Sequence, residues 1–488
     1  MTAHDWGDLA TGGSADAVLD DALGALAGVE YADVRLVEGE ELRAYHQLGQ
    51  DPDERVEHTA GIGVRVLRDG AWGFASAPLA DSGTAASVAR RAVSVALAGA
   101  GTGPPVRLPA REPHSGSYTT DVAIDPFAVP SAERDALLQA TLAAAHVPGV
   151  ISVQCGVNAK RQHRHFASTE GSRQHQHLVE TGGMLVALAA ADGQVQRRSY
   201  PNSFHGNTGG SGWEFVAGLN LPANAARVGA EAVELLSAPT APAGVDDLVI
   251  GAQQVSLQIH ESAGHALELD RILGDERNFA GTSFISTADV GALRYGSPAV
   301  SIISDPTMPG TRGSFAFDDE GTPAGRVRLI DEGVIRNTLS TRDSAARAGL
   351  AVTGAARSDG WGYLPVCFST HVYLEPGSGS LDELLDRLGD GYYIEDNRSW
   401  SIDNRRLNFQ FGTEVAYEVR HGRKGRLLRD FSYGGVTPRF WNSVEAVAGQ
   451  EEFRVFGYPC GKGEPKQWGF LSHAASPLLA RGVRTGVA

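Results

Sequence analysis

Apolar and polar positions along the chain follow two rhythms, one of three to four residues and one of two. Over residues 14–27 apolar side chains recur every three or four positions, which predicts an amphipathic helix. Period-two segments follow at 31–38, 41–48 and 61–67. Arg68, Asp69 and Gly70 then predict a tight hairpin turn into a returning strand over 71–75. Residues 84–99 form an alanine-rich second helix, and a loop rich in proline, glycine and serine covers about 100–130. Ser131, with Glu133 soon after it, predicts the N-cap of a third helix that reaches about residue 146. Period two returns over 150–200, with turns at 168–171 and 192–193, and 223–236 predicts a fourth helix.

Residues 237–244 (Ser-Ala-Pro-Thr-Ala-Pro-Ala-Gly) break both rhythms and predict a linker. Beyond it come a short apolar strand over 245–250, one helix from 252 and then a mostly strand-like chain. Glycine turns punctuate that stretch at 319–321, 331–333, 375–377 and 420–425, with short helices only at 341–348 and 380–388. The expected fold class is α+β. An N-terminal α/β domain would span 1–236, and a C-terminal antiparallel β-rich domain would span 245–488 and carry the helix from 252.

Composition narrows the function classes. The chain has 488 residues, enough for two domains, and its 42% hydrophobic and 20% charged content is that of ordinary globular proteins. A net charge of −16 argues against nucleic acid or an anionic membrane surface as partner. Residues 1–8 lack a basic stretch followed by an apolar run, and no run of about 18 apolar residues occurs, so neither a signal peptide nor a membrane helix is expected. The three cysteines, Cys155, Cys367 and Cys460, are too few and too odd in number for a disulfide framework, which points to a reducing cytoplasm.

The chemistry concentrates at His260, Glu261 and His265, in the order His-Glu-x-x-x-His. On a regular helix the two imidazoles would be offset by about 140°, too far for one ion. The motif therefore requires one wide turn of the i→i+5 kind near Gly264, between residues 259 and 266. Glu268 and Asp270, just beyond, are candidates to orient the imidazoles, or else they solvate the helix end. Far downstream, Cys460 lies between Pro459 and Gly461, in what reads as a turn, with Lys462 two residues on to favour a thiolate. Zinc accepts two imidazoles and a thiolate and keeps a fourth position for water at catalytic sites. His163, His165, His175 and His177 also alternate on two strand-like runs. They read as a polar hairpin face, since no carboxylate or cysteine alternates with them, with a metal or substrate site as the alternative.

Taken together, these motifs resemble the TldD/PmbA (TldD/TldE) family of metallopeptidases, and within it the active TldD-like subunit. Further similarity lies at 61–67 with 73–75, at 317–321, and at 408–412 with Glu414, so the resemblance covers nearly the whole chain. It implies that His260, His265 and Cys460 bind Zn2+ and that Glu261 is the general base. It also implies a heterodimer with a TldE/PmbA-like subunit, enclosing a chamber in which flexible peptides are cut. Bulky Tyr458 departs from the pattern beside the site and leaves the substrate open. The expected function is zinc-dependent amide hydrolysis of an unfolded peptide. The alternatives are a small-molecule amide or C–N bond in natural-product biosynthesis, and a non-catalytic binding subunit with a structural metal.

Overall fold

The computed structural model describes residues 14–79, 83–203 and 205–486. Residues 1–8, on which the signal-peptide reading rests, lie outside it. The N-terminal half is built on one eight-stranded sheet whose four longest strands are Tyr31–Gln47, Asp53–Arg68, Val150–Ser168 and Arg173–Ala191. The segments expected at 31–38 and 41–48 are one continuous strand, because Gly39 and Glu40 keep antiparallel pairing with Thr59 and His58. The hairpin expected at 68–70 is present, with Asp69 at φ 51° and Gly70 at φ 71°, the left-handed pair that a two-residue turn needs. Helices Ala15–Gly24 and Thr84–Gly99 cover one end of the outer face, and Ser131–Ala145 and Leu221–Ser237 cover the other.

Three local expectations need correction. Ser131 is the first helical residue and Pro130 takes the N-cap position without a side-chain bond. The Ser131 hydroxyl instead serves the Glu54 carboxylate, so tertiary contact overrides the local capping preference. The loop expected over 100–130 contains a short strand, Gly116–Thr119, paired in parallel with Arg173–Ala191. A helix not anticipated, Trp213–Leu219, precedes the fourth expected one and meets it at Asn220 in the left-handed conformation.

The inner face of this sheet is charged and meets the C-terminal half. Arg65 pairs with Asp33 at 2.6 Å and with Glu320 at 2.7 Å, and Arg164 pairs with Asp319 at 2.6 Å. Glu414 accepts from Arg197 at 2.8 Å and from the Ser199 hydroxyl at 2.7 Å. The acidic residues of 319–321 are therefore more than a turn: they are buried counter-ions to a row of arginines. Trp361 lies across Gly61 and Gly63, where a Cβ on either would stand 2.3 Å from it.

The C-terminal half holds a seven-stranded and a six-stranded sheet, mainly antiparallel. Between them runs the wholly buried helix Ala252–Ile259, against strand Gly391–Ile402 on one side and strand Gln467–Ala475 on the other. Its buried polar side chains are paired. Asn397 N donates to Gln253 Oε1 at 2.7 Å, Gln254 donates to the Tyr433 hydroxyl at 3.1 Å, and that hydroxyl donates to Gln258 at 3.0 Å. Satisfied buried networks of this kind fix a helix in one position. The α+β class is as expected, and none of the described helices is long and apolar enough to cross a membrane.

Candidate metal centre

The buried helix does not stay regular. Over His260–Gly264 it opens into a π turn, closed by the His265 N–H donating to the His260 carbonyl, and then tightens to a 3₁₀ turn at His265–Leu267. The extra residue of the motif is absorbed in that wide turn, and the two imidazole centroids stand 4.4 Å apart. Gly264 is required for space and not for backbone freedom. Its φ of −53° is ordinary, but a Cβ there would lie 2.8 Å from Ser369 Oγ. Ser262, inside the turn, accepts from Trp441 Nε1 at 2.9 Å and so anchors it to the core.

Cys460 comes to this helix from a strand and not from a turn. Strand Arg454–Lys462 is the edge of the six-stranded sheet, and Cys460 pairs with Gly469. An edge strand tolerates Pro459, which has no N–H to donate, so the Pro-Cys-Gly sequence imitates a turn without making one. Cys460 Sγ lies 3.3 Å from His265 Nε2. The donor atoms of His260, His265 and Cys460 all fall within 4.8 Å of one another, the one such triplet found among the described residues.

The surrounding bonds aim these donors. His473 Nδ1 is bonded to the Val372 carbonyl at 3.0 Å, which leaves His473 Nε2 to accept from His260 Nδ1 at 2.8 Å. His260 Nε2 is then the free donor atom. His265 Nδ1 faces both Glu268 oxygens at 3.1 Å, which leaves Nε2 directed at the cysteine. Glu268 is held in turn by Lys462 at 2.9 Å and by Arg271 at 3.4 Å. Asp270 is held by Lys462 at 2.8 Å. Lys462 therefore spends its ammonium on two carboxylates and the Cys367 carbonyl, and the direct role at the Cys460 sulfur expected from sequence does not match its contacts. Tyr458 packs its ring 5.5 Å from His260 and donates its hydroxyl to the Ser256 carbonyl.

Burial pushes His260 well below the usual imidazole range, helped by His265 and His473, and burial lowers His265 against the opposing pull of Glu268. Both rings are neutral at pH 7, the form that binds metals. Burial, with Glu261 and Glu268 nearby, raises the Cys460 thiol. A dication is what would reverse that, since a coordinating thiol is deprotonated outright. Two neutral imidazoles with set tautomers and one sulfur fit a borderline divalent ion.

Glu261 faces a cleft of about 490 Å³ that the three donors also line, together with Leu257, Trp400, Ile402 and Trp468. Its Oε2 accepts from Arg406 Nη1 at 2.9 Å. Arg406 sits at φ 60° in a turn whose backbone is tied by Asp403, which accepts from Arg405 N at 3.0 Å and Leu407 N at 2.9 Å. Arg406 Nε is buried without a hydrogen-bond partner. Sequence reading missed both Arg406 and His473. Neither sits in a recognisable spacing, and each reaches the site only through pairings more than a hundred residues apart.

A mixed α and β chain with two buried histidines and a half-buried cysteine gathered beside a carboxylate and a cleft has the build of a metallohydrolase. Family models described as PmbA/TldA metallopeptidase domain 1, central domain and C-terminal domain match residues 32–96, 124–238 and 244–477. A metalloprotease of Methanothermobacter thermautotrophicus is 30% identical over 439 residues, covering 89% of this chain and 91% of that protein. The chain belongs to the PmbA/TldD family of metallopeptidases. A Saccharolobus solfataricus protein described as a zinc metalloprotease TldD homolog is 25% identical over 44% of this chain and 46% of its own length. The crystal structure of TldE from Thermococcus kodakarensis has the same fold, with a TM-score of 0.75, 14% identity and coverage of 97% of this chain and 99% of that one.

Proposed function

We propose that this chain is a zinc-dependent peptidase in which His260, His265 and Cys460 hold the metal and Glu261 is the general base. The observation that carries the reading is the π turn, which brings both imidazoles to the Cys460 sulfur and leaves Glu261 facing the same cleft. When bound, the zinc ion supplies a water of lowered pKa and polarises the scissile carbonyl. Glu261 takes the proton from the attacking water and passes it to the leaving amine. Arg406 holds the Glu261 carboxylate in place and puts a positive charge at the wall where the tetrahedral oxyanion forms. His473, Glu268 and Lys462 fix the imidazole tautomers and hold the rings still.

A structural metal would need a fourth protein ligand. Glu268 and Asp270, the nearest candidates, are already spent on Lys462 and His265, which supports an open, catalytic position. The cleft, walled by Trp400 and Trp468, suits an extended peptide with an apolar side chain beside the scissile bond. The paired protein in this reading is a TldE/PmbA-like subunit, and the domain division is 1–236 and 245–488 about the linker 237–244.

The test is hydrolysis of an unfolded protein against a small aromatic amide, with the chain alone and coexpressed with such a paralogue. Cleavage of the unfolded protein by the paired preparation is expected. Turnover of the small amide alone would move the substrate to small-molecule biosynthesis, and activity of the single chain would remove the partner from the account.

A further inference from the structure

A second cleft, of about 520 Å³, shares no lining residue with the metal cleft. It forms where the N-terminal sheet, through Arg65 and Trp72, meets residues 270–279, the helix Arg342–Ala348 and the chain that follows Lys462. Local sequence shapes it. Gly274, at φ 93°, ends the helix Leu269–Leu273 and turns the chain back, so that Glu276 joins Asp270 in lining the cleft. Gly463, at φ 83°, brings its N–H to Glu276 Oε2 at 3.5 Å.

Six carboxylates line this cleft, those of Asp270, Asp275, Glu276, Glu320, Asp343 and Glu464, against two cations, Arg65 and Arg347. Four of the six are answered. Glu320 pairs with Arg65 at 2.7 Å, and Arg65 is shared with Asp33. Arg347 pairs with Asp275 and, at 3.1 Å, with Asp343, whose Oδ1 is still buried without a hydrogen-bond partner. Asp270 pairs with Lys462, which is shared with Glu268. Glu276 and Glu464 have no ion pair among the described residues. Glu276 is 6% exposed, yet its one side-chain hydrogen bond is the long contact from Gly463, and Oε1 takes none among the described residues. Burial raises its carboxyl against the opposing pull of Lys462, and Asp270 and Glu268 add to the rise. A carboxylate so placed costs free energy until a cation answers it.

The rest of the lining is apolar. Phe279 and Leu364, each 41% exposed, share the cleft with Pro365 and Val366. The carboxylates are spread along it and are not gathered on one point, since His260, His265 and Cys460 are the one donor group among the described residues tight enough for a metal ion. Spread negative charge beside apolar and aromatic surface matches several cationic centres on one aliphatic arm. We propose that this cleft binds an aliphatic polyamine, a linear methylene chain bearing two or more ammonium groups. One ammonium bonds Glu276 Oε1 and a second is drawn to Glu464, with charge-assisted bonds that the chain's own cations leave unmade. The methylenes lie against Leu364, Pro365 and Val366, and the exposed Phe279 ring offers its face to an ammonium. The wall at Asp270 and Cys367 also holds Lys462, so the ligand stands behind the metal's support and touches none of the reacting groups.

The test is isothermal titration of the full chain with spermidine at about 0.15 M salt, where loose counter-ion effects are screened. One spermidine per chain is expected, and Mg2+ at matched ionic strength should not displace it. Glu276→Gln, nearly isosteric and breaking no ion pair, should weaken spermidine by about 10–100-fold with circular dichroism unchanged. Phe279→Ala, at an exposed ring, should weaken it by about 2–5-fold. Glu133→Gln, at an exposed carboxylate that lines neither cleft, should leave it unchanged. Butylamine, with one ammonium, should bind about 10-fold more weakly than spermidine or worse. No saturable binding by the wild type, unchanged affinity in Glu276→Gln and Phe279→Ala, displacement by Mg2+, or butylamine as tight as spermidine would overturn the proposal. A trilysine peptide that outcompetes spermidine would overturn it in favour of a basic polypeptide.

Discussion

Glu261→Gln is expected to keep its full complement of zinc and to lose turnover by about 10²–10⁴-fold. The substitution is nearly isosteric. The amide oxygen can still accept from Arg406, which stands 2.9 Å from the present carboxylate, so the cleft keeps its shape. What the amide cannot do is take a proton from water. The three metal donors do not include Glu261, and the bonds that aim them run through His473 and Glu268. Metal content and catalysis should therefore separate cleanly in this variant. Elemental analysis beside a hydrolysis assay reads both. Normal cleavage at full zinc would remove Glu261 as the base, and lost zinc would make it part of the metal's support.

Lys462→Met is expected to destabilise the chain by about 3–5 kcal/mol, the usual result of removing one partner from a buried ionic group. Lys462 is fully buried and bridges Glu268, Asp270 and the Cys367 carbonyl. Burial alone would raise the Glu268 carboxyl, yet Lys462, His265 and Arg271 together hold it well below the usual range. Without the ammonium, two carboxylates face each other in a dry pocket. Glu268 also orients His265, so metal affinity should fall by about 10–100-fold in the same variant. Urea unfolding and a zinc-buffered titration measure the two effects. A loss under about 1 kcal/mol with unchanged affinity would mean that Lys462 is incidental to the centre.

The residues at the centre show how far sequence reached and where it stopped. His260, Glu261 and His265 were legible because catalysis compresses them into six positions, and helix geometry alone demanded a wide turn there. The turn is at His260–Gly264, as that geometry requires. What Gly264 does there is not legible in sequence, since its lack of a Cβ makes room for Ser369, a contact 105 residues away that no local pattern records. Pro459, Cys460 and Gly461 read as a turn because proline and glycine punctuate turns, and only the edge position of the strand explains why they do not make one. Lys462 was read against its near neighbour in sequence, whereas its side chain answers the buried charge of Glu268 and Asp270. Long strands were split where polar residues interrupt them, as at Glu38 to Glu41, because a strand buried on both faces by charge as well as by apolar contact carries no clean alternation. The histidine quartet was visible as spacing. Its cross-strand register, His163 opposite His177 and His165 opposite His175, belongs to a pairing that only the folded sheet supplies.

The central claim is that the distorted helix and the far strand together make one metal site. X-ray absorption at the zinc edge, on the full chain loaded with one equivalent of zinc, tests it most directly. The account predicts one sulfur neighbour at about 2.3 Å and two imidazole nitrogens at about 2.0–2.1 Å, with the sulfur shell gone in the added Cys460→Ala variant. A zinc environment of nitrogen and oxygen alone in the protein that keeps Cys460 would contradict it.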